Sequence, residues 1–276
     1  MPNCEVNGVE LFYDDIGEGE VVFLHHGYTG AHDVWQNEIA PRIKHRYRCI
    51  VMDCRGAGDS AHPADGYNIA QYARDVVGLA DALGIDRFNY VGHSMGGGIG
   101  YQLGVAHAER LIKLVLVAPI PASGITVVDP AAHEAARQLR KADNGRDVMI
   151  RERLAQNLRT PEAAIILSVD RALSVSDEHF DDSWQSMIDF DVSDHLANLQ
   201  TPTLMIAGAA DGLCKANVND WQALPNATLH VFSRVGHGVP RDVPDEFSEA
   251  VLDFLHHGAI NAQTLQKRLE AARAGG

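Results

Sequence analysis

Apolar residues along this chain follow two alternating rhythms. Short runs rich in β-branched and aromatic residues predict strands at Glu5–Tyr13, Val21–His25, Arg48–Asp53, Asn89–Gly92, Leu111–Ala118, Thr203–Gly208 and Thr228–Phe232. Between them, apolar positions at helical spacing predict helices near Asp33–His45, Ile69–Leu83, Met95–His107, Val218–Ala223 and Asp245–His256. Strands alternating with helices predict an α/β architecture, a mostly parallel sheet covered by helices on both faces. Asn7-Gly8, flanked by strand-like residues, predicts an antiparallel hairpin at the sheet edge.

The rhythm breaks between about Pro121 and Gln200, where apolar residues such as Val148, Ile150, Leu154 and Leu158 recur at helical spacing and no buried-strand run appears. We therefore expect a core from 1–120 and 201–257, a helical insertion at 121–200 and a helical tail at 258–276. Within the insertion, Ala172–Gln200 carries seven acids and no Lys or Arg, whereas Arg137–Arg171 is locally basic, the pattern of a solvated surface with two charge faces. The tail offers Ile260, Leu265 and Leu269 before an Ala-Gly-Gly end, and it could pack on the body, meet a second copy in a homodimer, or fray.

Composition narrows the function. A chain of 276 residues, 46% hydrophobic, buries a sizeable core in one domain or in one domain with an insertion. Its net charge of -14 disfavours nucleic acid and anionic membrane as partners and favours a small neutral or cationic ligand. No apolar run approaches the roughly 18 residues of a membrane span, and Met1–Glu10 lacks a signal-peptide pattern, so the expected location is the cytoplasm. Cys4, Cys49, Cys54 and Cys214 form no Cys-x-x-Cys pair and read as free, largely buried thiols.

The candidate chemistry starts at Gly92-His93-Ser94-Met95-Gly96, set between an apolar run and a stretch of small residues. A serine on a sharp strand-to-helix turn is exposed for attack, and the flanking glycines leave room for the turn to close. Ser94 needs a base to take its proton and a carboxylate to fix that base's tautomer. Asp211 follows the apolar run Leu204–Ala207, and His237 lies in a glycine-flanked loop after the next predicted strand. Carboxyl ends of parallel strands gather at one rim, so residues far apart in sequence can converge there. The loop His26-Gly27-Tyr28-Thr29-Gly30 follows another strand, and the backbone N–H groups of Tyr28 and Met95 are candidates to hold an oxyanion, a device that contributes a factor of roughly 100 to 1,000 in rate.

The chain resembles the α/β-hydrolase fold serine hydrolases with a lid, which include small carboxylesterases and lactonases. The matching pieces, over about residues 4–257, are His26-Gly27-Tyr28, Asp53-Cys54-Arg55-Gly56-Ala57-Gly58-Asp59-Ser60, Gly92–Gly97, Asp211-Gly212 and Gly236-His237. The resemblance implies an acyl-enzyme on Ser94, His237 as base and then acid, Asp211 as its orienter, and a structural role for Asp53 and Arg55. It implies hydrolysis of a carboxylic ester or lactone with no cofactor and no metal, and a lid, the insertion, over a mostly apolar pocket. Trp35, Trp184, Met187, Phe190 and Val239, with Tyr28, are candidate pocket residues.

Departures narrow the family further. Epoxide hydrolases and haloalkane dehalogenases of this fold carry Asp where this chain has Ser94, and Pro119-Ile120-Pro121 leaves no acid after the strand Leu111–Ala118. Members that cleave carbon–carbon bonds usually show a His-Gly-Gly-Gly-type loop, where this chain has Tyr28-Thr29. A dinucleotide site at Gly92–Gly100 lacks the ribose-binding acid after the following strand. The cluster His25, His26, His32 and Asp33 lacks metal-ligand spacing. A ligand-sensing receptor with slow turnover is the alternative that shares every motif.

Overall fold

The computed structural model describes residues 3–126, 129–156 and 159–274. Eight strands form one sheet: β1 (Asn3–Val6), β2 (Val9–Ile16), β3 (Glu20–His25), β4 (Tyr47–Met52), β5 (Phe88–His93), β6 (Leu111–Val117), β7 (Thr203–Gly208) and β8 (Ala227–Phe232). Their spatial order is β1-β2-β4-β3-β5-β6-β7-β8, with β3 through β8 mutually parallel and β2 antiparallel to β4. At the edge, Val6 pairs with Val9 across a two-residue turn in which Asn7 (φ 51°) and Gly8 (φ 75°) both take the left-handed conformation such a hairpin requires.

The helices of the core are α1 (Ala40–Ile43), α2 (Ile69–Ala82) and α3 (Met95–Ala106). Four more, α4 (Pro130–Lys141), α5 (Gly145–Gln156), α6 (Glu162–Ser174) and α7 (Asp177–Asp189), lie between β6 and β7, and α8 (Cys214–Ala223), α9 (Val239–Asp242), α10 (Pro244–His257) and α11 (Ala262–Ala274) complete the chain. Strand residues alternate between the two faces. Phe23, Ile50, Leu114, Leu116 and Met205 join the core under α2 and α3, while Val22, Leu24, Val115, Val117 and Ile206 join Trp35, Phe247 and Val251 on the other side. Burying each such side chain contributes about 1.5–3 kcal/mol.

Two expectations are revised. The single helix expected over Asp33–His45 is a π-helical turn at Trp35–Ile39 followed by the short α1. Pro41 explains the break, because it has no N–H for the ladder and its ring crowds the carbonyl four residues back. Cys49 and Cys54 are buried but Cys4 and Cys214 are only half-buried, so the thiols are not uniformly interior. The tail forms the expected helix, α11, which buries none of its residues and leaves Leu265 and Leu269 about half exposed.

In the insertion, Val148, Ile150 and Leu154 are half-buried on α5, and Leu158 lies outside the described residues, as do Met1, Pro2, Gly275 and Gly276. The insertion is tied to the core by polar contacts: Arg171 on α6 donates to Asp33 at 2.8 and 3.0 Å and to Asp59 at 2.8 Å. The Ile69 N–H donates to Ser186 on α7 at 3.0 Å. Among the described residues, no helix is long and apolar enough to cross a membrane.

Candidate active site

The Gly92–Gly96 pentapeptide turns directly from β5 into α3. Ser94 sits at φ 57° and ψ -114°, a strained backbone for a residue with a side chain, and its N–H is pinned to the Val117 carbonyl at 2.9 Å. The glycine requirement is a matter of contact: a Cβ on Gly92 would stand 2.1 Å from the Gly96 carbonyl oxygen, and one on Gly96 would stand 2.5 Å from that of His26. The turn closes only without both side chains.

Asp211 follows β7, and His237 lies in the loop between β8 and α9. The parallel register brings both ends to the rim occupied by Ser94. The His237 Nδ1–H donates to Asp211 Oδ2 at 2.8 Å, which leaves Nε2 to accept from the Ser94 hydroxyl at 2.9 Å. Burial pushes the Asp211 carboxyl up, but the hydrogen bonds from His237 and the Leu213 N–H outweigh it and hold the group below the ordinary carboxylate range. It is therefore ionised where His237 needs an acceptor. His93 donates from Nε2 to the His237 carbonyl at 2.8 Å and so fixes that loop against the elbow. Burial, with His237 and Arg241 nearby, pushes His93 down to about 3 and keeps it neutral.

The loop after β3 lies against the Ser94 turn, since a Cβ on Gly27 would reach within 2.9 Å of Ser94 Cβ. Among the described residues, neither the Tyr28 N–H nor the Met95 N–H has an acceptor, so both remain available for a developing negative charge. Behind them the histidines form a buried support. Cys54 donates from Sγ to His25 Nε2 at 3.3 Å, His25 Nδ1–H donates to the Tyr90 hydroxyl at 2.8 Å, and Tyr90 donates to the Gly96 carbonyl at 2.9 Å. His26 accepts from the Cys54 N–H and donates to the Gly27 carbonyl. Asp53 accepts from the His32 N–H and ring, both at 2.7 Å, and from the Asp59 N–H at 2.8 Å. Buried Arg55 forks onto buried Asp75 through two bonds of 2.7 Å. The sequence offered His25 and Tyr90 no motif, and only the three-dimensional chain from Cys54 to Gly96 reveals their part.

A cavity of about 430 Å³ opens beside Ser94 and His237, roofed by α5 and α6. Tyr28 and Trp35 are on its wall, Trp35 with its side chain fully buried and packed against Phe247 at 6.1 Å. Trp184, Met187, Phe190 and Val239 are not on this wall. Trp184 stacks on His133 at 5.2 Å and packs against Tyr28, while Met187, Phe190 and Val239 are buried core. An apolar or aromatic residue near a lid has the same sequence signature whether it faces ligand or core, and here Met187, Phe190 and Val239 went to the core and Trp184 to its stack on His133. The accessible wall of the cavity is more apolar than polar, and α5 and α6 add polar groups to it by turning Arg153, Gln156, Ser168 and Arg171 toward it.

Among known proteins, a family model described as the alpha/beta hydrolase fold matches residues 20–240. The chain belongs to the α/β-hydrolase fold family, and its relatives include hydrolases of differing substrates and non-heme haloperoxidases. It is 30% identical over 272 residues to a protein of Caulobacter sp. strain K31 named as a carbamate hydrolase, RutD, covering 92% of this chain and 98% of that one. It is 32% identical to the 2-hydroxy-6-oxo-6-phenylhexa-2,4-dienoate hydrolase of Comamonas testosteroni, over 89% of this chain and 91% of that one. A solved structure described as an N-acyl homoserine lactone degrading enzyme superposes with a TM-score of 0.77 at 28% identity, covering 92% of this chain and all of the other.

Proposed function

We propose that this hydrolase cleaves a carboxylic ester or lactone through an acyl-enzyme on Ser94. The observation that carries the reading is the unbroken hydrogen-bonded chain from Asp211 through His237 to the Ser94 hydroxyl, 2.8 and 2.9 Å long, at the mouth of the cavity. Ser94 Oγ attacks the carbonyl carbon as its proton passes to His237 Nε2, and the new oxyanion is received by the N–H groups of Tyr28 and Met95. Collapse of this intermediate breaks the bond to the alcohol oxygen, which takes the proton from His237. In a lactone the alcohol remains tethered to the acyl group. Water, deprotonated by His237, then attacks the acyl carbon and returns Ser94 to its starting state. Residues 121–200 act as a lid that excludes bulk water from these steps.

The test is a panel of esters and lactones of graded chain length, assayed beside covalent labelling of Ser94 by a fluorophosphonate probe. Turnover together with labelling supports the reading. Labelling without release of product supports a ligand-sensing protein of the same fold, and no labelling removes the serine mechanism. Asp211→Asn is expected to lower kcat by about 10⁴-fold with KM little changed, because the amide favours the tautomer of His237 that presents a proton to Ser94. A second reading, hydrolysis of a carbon–carbon bond, is favoured by the Comamonas relative, whose substrate by its name contains no ester. Including such a vinylogous diketone in the same panel separates the two.

A further inference from the structure

Three guanidinium groups face the cavity beside Ser94, and the carboxylates around it satisfy only one of them. Arg171 is fully used by Asp33 and Asp59. Arg153, on α5, makes one side-chain hydrogen bond, from Nη1 to the Ser168 hydroxyl at 2.7 Å. Arg241, on the α9 turn that follows His237, has no side-chain hydrogen bond and no ion pair among the described residues. Its nearest acids are engaged elsewhere, Asp33 with Arg171 and Asp242 with the Thr160 hydroxyl. The free donors of Arg153 and Arg241 are not sealed in the interior, so they open onto the cavity.

This is unusual in a chain where 37 acids outnumber 23 lysines and arginines, since a carboxylate partner is readily available almost anywhere on its surface. Two guanidiniums held near each other and out of bulk water also oppose one another. Burial and the Arg241 charge push Arg153 down to about 10, and burial lowers Arg241 as well. An arrangement that is unfavourable empty becomes favourable when an anion enters between the two forks.

We infer that Arg153 and Arg241 form the anion subsite of the active cavity, so that the ester or lactone cleaved at Ser94 carries a free carboxylate elsewhere in the molecule. The inference rests on the reading of Ser94 as an ester-cleaving nucleophile and specifies its substrate class. The charged residues on the cavity wall balance, Arg153, Arg171 and Arg241 against Asp33, Glu38 and Asp242, so the two open forks suit a monoanionic carboxylate better than a dianionic phosphate. An anionic substrate departs from the neutral or cationic ligand that the net charge of the whole chain favours.

The experiment compares the ethyl hemi-esters of succinic through suberic acid with the matching ethyl esters in which the free carboxylate is a primary amide. The wild-type protein is expected to favour the carboxylate of the best length by about tenfold or more in kcat/KM, mainly through KM. Arg241→Gln and Arg153→Gln should each reduce that ratio by about tenfold, with Arg241→Lys retaining part of it because it keeps the charge without the fork. Equal use of carboxylate and amide by wild type, or a ratio unmoved in both Gln variants, overturns the subsite and leaves ester hydrolysis standing. Binding of the free dicarboxylate to the Ser94→Ala protein, measured by titration calorimetry, tests the subsite without turnover. Dicarboxylate binding that Arg241→Gln abolishes, in a protein that hydrolyses neither ester, keeps the subsite and removes the ester chemistry. Inorganic phosphate bound more tightly than the dicarboxylate overturns the carboxylate assignment.

Discussion

Ser94→Ala is expected to lower kcat on the best ester by on the order of 10⁵ to 10⁶-fold and to abolish fluorophosphonate labelling, with stability within about 1 kcal/mol of wild type. The size follows from how the groups act together. Without Oγ, the proton-accepting Nε2 of His237, now 2.9 Å from nothing it can activate directly, can at best recruit water, and the strained elbow holds no nucleophile. What survives is the stabilisation that the Tyr28 and Met95 N–H groups give to attack by water. Stability is spared because alanine and serine tolerate φ 57° about equally and the turn is held by backbone contacts, Ser94 N–H to Val117 and Gly97 and Gly98 N–H to the Ser94 carbonyl. A thermal melt and a steady-state assay on the same preparation check both halves. Rates within tenfold of wild type would remove Ser94 from the mechanism.

The parts of the candidate site that could be read from sequence are those fixed by local chain geometry. The pentapeptide is legible because Gly92 and Gly96, four residues apart, meet each other and the serine between them has nowhere to go but out. Asp211 and His237 are legible because each follows a recognisable strand, and parallel strands end at one rim. The hairpin at Asn7-Gly8 is legible for the same local reason. What failed to show depends on which element packs over which. The π-helical turn before α1 is set by Pro41 acting four residues back, and Phe190 or Val239 could be assigned to core or ligand only once the neighbours were in place. Arg153 and Arg241 are 88 positions apart, on a lid helix and a core turn, and no spacing rule joins them.

The site and the stability of the fold meet in the histidines. Acid is expected to unfold the chain between about pH 5 and pH 4, well above the range in which most carboxylates alone would do it. His25 and His26 are held below the usual 6.5 by burial, His25 the more strongly, and burial pushes His93 and His179 down to about 3. A histidine with a depressed folded pKa binds fewer protons folded than unfolded. Its neutral form is therefore fully compatible with the fold above about pH 6.5, and it costs stability as pH falls from 6.5 toward 3. For His179, fully buried among Tyr67, Tyr72 and Tyr28, the cost reaches on the order of 4 kcal/mol, and for His93, partly open to the cavity, it is less. His32 runs the other way. Burial pulls it down, but the hydrogen bond and charge of Asp53 outweigh that, so its contribution is present at low pH and lost as pH rises. Near pH 5, where it is charged in both states, its contribution is constant and leaves the slope to the others. Three to four protons taken up on unfolding give a slope of about 4–5 kcal/mol per pH unit near pH 5, measurable by urea unfolding at half-unit steps. His179→Gln, which keeps a donor for the Arg55 carbonyl without the titration, should reduce that slope by about one proton, or 1.4 kcal/mol per pH unit. A stability unchanged from pH 7 to 4.5 would mean that these imidazoles accept protons inside the fold, and the neutral chain running from Cys54 through His25 and Tyr90 to Gly96 could not then be what holds the nucleophile turn.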